Sequence, residues 1–227
     1  MSPKKKDEYK LNKDFYKGEN AEFYANSGWM KRNQLKTAGR VYDLLYNEAI
    51  YDPNKYPQQS SENMLLDLGC GNGYSSEIFE DQDFRVVGLD ISFNMLQYNI
   101  KQFGGHGVGK PNQRNPVLVN GLIEALPYRE NSFDVIISIS AFNFIIDEQM
   151  DHAERLKRIK DTAEQIFSVL KPHGRVVIEF YPSKADLDIY LKGFKKYFMG
   201  GLIIDNPGLR KEQKFMILRS LKENASK

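Results

Sequence analysis

The sequence has one cysteine, Cys70, in 227 residues. That excludes an intramolecular disulfide and a thiolate zinc site. Histidine is nearly as scarce: His106, His152 and His173 stand far apart, with no metal-ligand spacing, so no metal is expected. No apolar run approaches the roughly 20 residues of a membrane-spanning helix, and no signal peptide pattern opens the chain. The expectation is a soluble cytoplasmic protein, nuclear if eukaryotic, with no membrane partner. Internal repeats are also absent. A net charge of +2 gives no whole-molecule argument for nucleic acid. Charge is unevenly placed, however. Residues 151–227 hold 16 Lys and Arg against 10 Asp and Glu, and residues 1–150 hold 16 against 20.

What is present is an alternation. Apolar runs occur at MLLDL, RVVGLD, PVLVN, FDVIISIS and RVVIEFYP, and helix-compatible stretches at 75–81, 93–103 and 153–170 separate most of them. The runs are continuous, as in strands covered on both faces. Upstream, Leu35, Ala38, Val41, Leu44 and Leu45 are spaced to form one helical face. GLIIDNP and KFMILRS predict a terminal antiparallel hairpin. The fold expected is α/β: a single Rossmann-like domain with a seven-stranded, mostly parallel sheet, helices on both faces and a C-terminal hairpin. The domain is placed at 15–222, after a flexible basic N-terminus at 1–14 and before a short polar tail at 223–227. GGHGVGKPNQRNP, 104–116, reads as a flexible loop.

The informative stretch is Asp67-Leu-Gly69-Cys-Gly71-Asn-Gly73, which follows a strand and opens a helix. Its Gly-x-Gly-x-Gly spacing differs from the dinucleotide fingerprint Gly-x-Gly-x-x-Gly. A carboxylate two residues before the first glycine suits a ligand with an ammonium group rather than a pyrophosphate. Asp90 ends the second strand, where a carboxylate can accept both hydroxyls of an adenosine ribose. Ammonium, ribose and no phosphate describe S-adenosylmethionine. Cys70, inside this loop, reads as a space-filling residue and not as a nucleophile.

DLGCGNG, GLDIS, EALPYRENSFDVIIS and LKPHGRVV resemble the successive motifs of the class I S-adenosylmethionine-dependent methyltransferases, over about residues 64–180. The resemblance implies cofactor contacts from Asp67, Gly69, Cys70, Gly71, Gly73, Asp90, Ile91, Leu122, Ile123 and Ser138. The acidic residue that many members carry after the third strand is replaced by Asn120-Gly121-Leu122-Ile123. Adenine would then rest on backbone groups near Leu122 and on apolar packing. SGWMKRNQLKTAGRVYDLL, ISISAFNFI, RVVIEFYP and GGLIIDNPGLRKEQKFMILRS are similar to a narrower group, the small-subunit (18S-type) rRNA guanine-N7 methyltransferase family of the Williams–Beuren region protein.

Membership in that family implies an acceptor side of Tyr24, Asn143, Phe144, Tyr181 and Pro182, with no catalytic acid or base. Members commonly have glutamine and tryptophan where this chain has Asn143 and Phe144. Lys31, Arg32, Lys36, Arg40, Lys192, Lys195 and Lys196 are candidate phosphate contacts for small-subunit rRNA or a pre-ribosome. The family works with a small zinc-ribbon activator protein that adds a strand to the sheet, and PVLVN at the free edge would receive it in a heterodimer. Ending at ENASK, without the long basic tail of eukaryotic members, the chain reads as an archaeal or reduced homologue. A small-molecule methyltransferase and a mainly structural ribosome-assembly factor remain open on the same motifs.

Overall fold

The computed structural model describes residues 16, 18–52, 60, 62–103, 117–147 and 149–222. The termini at 1–14 and 223–227 and the loop at 104–116 therefore lie outside the described residues. The chain opens with two helices, α1 (Gly18–Asn26) and α2 (Gly28–Leu45). Ser27 caps α2 by accepting a hydrogen bond from Met30 N at 3.4 Å. Then follow β1 (Met64–Leu68), α3 (Tyr74–Asp81), β2 (Arg85–Asp90), α4 (Phe93–Phe103), β3 (Val117–Asn120) and β4 (Phe133–Ile139). A 3-10 turn at Phe142–Phe144 precedes α5 (His152–Val169), β5 (Leu170–Phe180), α6 (Lys184–Phe194), β6 (Phe198–Asp205) and β7 (Gln213–Ser220).

The seven strands form one sheet in the order β3-β2-β1-β4-β5-β7-β6. β1 to β5 are parallel, and β7 inserts antiparallel between β5 and β6. Alternate side chains explain the continuous apolar runs. Leu65, Val135, Ile137 and Val177 pack with Ala38, Val41, Leu44 and Leu45 of α2 and Phe79 of α3. Their neighbours Leu66, Ile136, Val176 and Ile178 pack with Ile159, Ala163 and Ile166 of α5 and Phe194 of α6. Each inner strand thus buries both faces, which strict alternation would not allow.

Three elements differ from the sequence reading. α1 was not expected, and Tyr24 lies inside it instead of ahead of the first helix. This helix buries only Ala21 and Ala25, so its apolar stripe is too narrow to read. α6 was not expected either, although it buries Ile189, Tyr190 and Phe194. β5 starts at Leu170, ahead of the run RVVIEFYP, and KPHG forms a bulge within it. Phe133 pairs with Leu170 and Val135 with Arg175, the intervening residues being looped out with His173 at φ 59°. Among the described residues no helix is long and apolar enough to cross a membrane, and no cluster of metal-ligating side chains occurs.

Candidate cofactor and acceptor cleft

The carboxyl ends of β1, β2 and β4 surround a cleft, the position where open α/β sheets bind ligands. Its loop is built by backbone hydrogen bonds: Gly69 N and Cys70 N both donate to Leu89 O, at 2.7 and 3.1 Å. Gly69 has φ +79°, and a Cβ there would land on the Cβ of Ala141. Glycine is therefore required by both conformation and close approach. Asp90 closes the loop from β2. Its Oδ2 accepts from Gly71 N at 2.8 Å and its Oδ1 from Ser92 N at 2.7 Å. Burial raises the Asp90 pKa, and the two backbone donors oppose that rise. Each carboxylate oxygen keeps a second lone pair for a ligand hydroxyl. Asn120, at the end of β3, donates to Asp90 O and Ile91 O at 2.9 Å each, so it fixes the β2 end.

The cleft has an empty volume of about 910 Å³, open solvent included. Gly69 to Asn72, Asp90 and Ile91 line one part, Gly121 to Glu124 another, and Ser140, Ala141, Phe144 and Ile145 the wall from β4. Tyr16, Tyr24 and Gln34 complete it from the N-terminal side. The Tyr16 ring meets Tyr24 edge-on at 5.4 Å and Phe144 at 5.7 Å. Gln34 donates to the Tyr24 hydroxyl at 2.9 Å. Ser92 Oγ donates to Tyr16 O at 2.7 Å, and the Tyr74 hydroxyl donates to Ala25 O, so the N-terminal segment is tied to both ligand loops. Burial pushes Tyr16 up to about 12 and Tyr24 higher still, keeping both phenols neutral.

Of the residues expected from sequence, Tyr24, Gly69, Cys70, Gly71, Asp90, Ile91, Leu122, Ile123 and Phe144 line the cleft. Asp67, Gly73, Ser138, Asn143, Tyr181 and Pro182 do not. Asp67 is fully buried behind the loop, with Oδ2 accepting from Ser75 and Ser76 at 2.8 Å each and Oδ1 without a partner. Burial raises its pKa to about 6. Gly73, at φ +86°, lets the loop pack on α4: a Cβ there would stand 2.7 Å from Asn99 Nδ2. Ser138 donates to Leu68 O at 2.7 Å and pins β4 to β1.

Asn143 spans the strand ends. Its Nδ2 donates to Ser140 O at 3.1 Å, and its Oδ1 accepts from Tyr181 N at 2.6 Å. That binds the end of β4 to the end of β5, and the amide is occupied by protein. The Tyr181 side chain is half exposed and interacts with Glu179. Cys70 is buried with Sγ against Gly88, and burial holds its thiol pKa well above the usual value. A thiolate nucleophile is thereby excluded.

Sequence reasoning missed Tyr16, Gln34, Asn72 and Ser140. Asn72 lay in the quoted motif; its Nδ2 is buried without a partner at the cleft, a donor suited to a carboxylate. Tyr16, Gln34 and Ser140 gave no local signal, because only folding brings them to the loop. The donor set fits the expected cofactor. Asp90 could hold the ribose, Ile91, Leu122 and Ile123 the adenine, and Asn72 the methionine carboxylate.

The candidate phosphate contacts separate. Lys31 pairs with Glu77 at 3.3 Å, Arg40 with Asp205 at 2.8 Å and Lys192 with Asp188 at 2.6 Å. Lys192, Lys195 and Lys196 sit at the end of α6, just before Phe198, which pairs with Ser220. That is the opposite end of the sheet from the cleft, so those three lysines do not surround it.

The chain matches the family described as Methyltransferase domain over residues 66–178. It is 29% identical over 206 residues to a probable 18S rRNA (guanine-N(7))-methyltransferase of Dictyostelium discoideum, covering 90% of this chain and 66% of that protein. It is 29% identical over 196 residues to the 18S rRNA (guanine(1575)-N(7))-methyltransferase of Saccharomyces cerevisiae, covering 85% and 64%. The chain thus spans just under two thirds of the length of these two relatives. Among solved structures, it is similar to a chain of the Haloferax volcanii complex between the Trm112 methyltransferase activator and a methyltransferase. That likeness has a TM-score of 0.56 and 16% identity, and covers 88% of this chain and 96% of the other.

Proposed function

Through residues 66–178 the chain belongs to the methyltransferase-domain family, with S-adenosylmethionine as its cofactor, and from that premise we propose that it methylates guanine N7 in small-subunit ribosomal RNA during ribosome biogenesis. One observation carries the proposal. The similarity to 18S rRNA guanine-N7 methyltransferases runs over 206 residues, too long to stop at the domain match of 66–178, so it takes in chain that methyltransferases at large need not share.

The cleft is suited to an acceptor that needs no activation. When bound, S-adenosylmethionine supplies a methyl group on a positively charged sulfur. Guanine N7 carries an in-plane lone pair and no proton, so no residue has to remove one. Asp90 and the loop Gly69–Asn72 would hold the cofactor at one side of the cleft. Phe144, Tyr16 and Tyr24 line the same cleft with aromatic side chains, against which an unstacked base can pack. Their packing also excludes water, so alignment and desolvation supply the acceleration. Cys70, held as a thiol, takes no part in covalent chemistry.

The proposal includes a partner, a small zinc-ribbon activator added to the sheet at β3. β3 is one of the two edge strands, and Val117 on it and Phe93 and Ile100 on α4 are exposed apolar side chains. An open apolar edge is a hazard that proteins cover, and strand addition covers it. Any zinc would reside in the partner. Expression alone and with the activator of the same organism tests this part: a fully soluble, active lone protein that forms no complex on size exclusion defeats it.

Purified protein, or its complex, with labelled cofactor should methylate precursor small subunits and neither free nucleosides nor small metabolites. The product RNA should become cleavable by borohydride and aniline, because N7 methylation leaves the ring cationic. Methyl transfer without cleavage would assign another atom, and transfer to a small metabolite alone would assign another class of substrate.

A further inference from the structure

The sheet topology brings a cationic element to the cleft that the sequence does not associate with it. β7 runs antiparallel to β5, with Lys214 opposite Phe180 and Arg219 opposite Arg175. Its first residue, Gln213, pairs with Asp205, the last of β6. The hairpin turn, residues 206–212, therefore projects from the same end of the sheet as the cleft. Gln213 fixes that hairpin to the cleft wall. Its Nε2 donates to Glu179 Oε1 at 3.4 Å and to Thr37 Oγ1 at 3.0 Å. Glu179 Oε2 accepts from Ser140 Oγ at 2.9 Å, and Ser140 lines the cleft. Two side chains thus separate the base of the hairpin from the cleft.

The turn is built, not loose, and its charges sort cleanly. Leu209 N donates to Asn206 O at 3.1 Å, Glu212 N to Leu209 O at 2.9 Å and Gly208 N to Glu212 Oε2 at 2.7 Å. Both carboxylates at its base are engaged within the protein: Asp205 with Arg40 at 2.8 Å and Glu212 with Lys214 at 2.5 Å. Arg210 and Lys211, at the tip, are exposed and have no ion-pair partner among the described residues. Leu209 beside them is 65% exposed. On α2, Arg32 and Lys36 are likewise exposed and unpaired among the described residues, two turns and one turn before Arg40 on the same helix face, and Arg40 pairs with Asp205 at the base of the hairpin. Three residue steps take the chain from Arg210 to Gln213, at most about 11 Å.

We propose that the β6–β7 hairpin tip is an RNA-docking element, with Arg210 and Lys211 gripping backbone phosphates next to the nucleotide in the cleft and Arg32 and Lys36 extending the track. It rests on the reading of RNA as substrate and deepens it by naming the surface. The geometry supplies the role. Phosphate contacts set register and orientation and carry no base information. A hairpin anchored to the cleft wall through Gln213 and Glu179 converts a grip on phosphates into the position of a base. Lys195 and Lys196, equally cationic but at the far end of the sheet, should contribute nothing.

The test uses the full-length protein, with its activator if a complex is required, and precursor small-subunit RNA of the same organism in a salt titration. In R210Q/K211Q, RNA affinity should fall several-fold at low salt. The slope of log affinity against log salt should lessen by about 1.4, roughly 0.7 for each phosphate of single-stranded RNA that the variant no longer neutralises. S-adenosylmethionine affinity by calorimetry should not change. K195Q/K196Q should bind RNA as the wild type does. An unchanged slope in R210Q/K211Q, or an equal loss in both double variants, overturns the assignment while leaving the RNA methyltransferase reading intact. A wild-type protein that does not bind the RNA brings down that reading and this assignment together.

Discussion

Asp90 is the residue on which the cleft turns, because it fixes Gly71 and Ser92 and still has lone pairs for a ligand. Asp90→Ala should lose two ribose hydrogen bonds to a charged acceptor, each worth roughly 1.5–3 kcal/mol. The same change also frees the loop it holds. Calorimetry on the variant should show cofactor affinity weakened by at least tenfold, and an unchanged constant would remove Asp90 from the site. Gly69 makes a sterically sharper case. In Gly69→Ala the new methyl meets Ala141, so cofactor affinity and stability should both fall. Adding Ala141→Gly should restore part of the loss. The left-handed backbone at position 69, worth roughly 1–2 kcal/mol against alanine, should remain unrecovered. No rescue would show that the clash is not what demands glycine, and complete rescue would show that the left-handed backbone adds no cost there.

At the scale of elements, α5 is held by its N-terminus as well as by its buried face. Asp151 Oδ1 accepts from Glu154 N and Glu154 Oε2 accepts from Asp151 N, both at 2.9 Å, a complete capping box. Asp151→Ala should destabilise the protein by about 1 kcal/mol in chemical denaturation, without moving cofactor affinity, since α5 lies on the face away from the glycine loop. The same element shows where local reading stops. KPHG carries a proline and a glycine, the usual marks of a loop between helix and strand. Instead Leu170 enters the sheet at once opposite Phe133, and the four following residues are looped out as a bulge. Pairing with β4, more than thirty residues earlier in the chain, outweighs the local turn signal.

For the whole molecule, the buried carboxylates set a pH dependence with a definite sign. Burial raises Asp67 from 3.8 to about 6 and Glu80 from 4.5 to about 7. Between the ordinary and the raised pKa, the folded state binds more protons than the unfolded one, so stability falls as pH rises through that window. The protein without cofactor should therefore resist denaturant better at pH 5 than at pH 8. Asp67 contributes about 1–2 kcal/mol to that difference, since part of its window lies below pH 5. Glu80, whose window lies more fully between pH 5 and 8 but which is partly solvated, adds a discounted share. Asp67→Asn should flatten part of the dependence and leave the part due to Glu80. A midpoint that rises from pH 5 to 8 would contradict the burial of Asp67 as a costly carboxylate.

The sequence by itself determined the order of the strands and of α2 to α5, the glycine loop and the position of Asp90. Those depend on apolar periodicity and on residues within one strand–turn–helix unit, and such signals are local. It also determined the terminal hairpin, which short apolar runs and turn residues mark, whereas the edge position of β3 was implied by the resemblance to the seven-stranded methyltransferase fold. Tertiary structure alone decided that Asp67 and Gly73 stand behind the cleft and that Asn143 ties β4 to β5. It also placed Tyr16 over the cofactor loops and the 206–212 turn at the cleft end of the sheet. Each of these is set by partners far away in the chain. Asn143 meets Tyr181 only because β5 lies beside β4, and the hairpin reaches the cleft only because β7 runs against β5. Strand direction and register carry that information, and no window of neighbouring residues contains it.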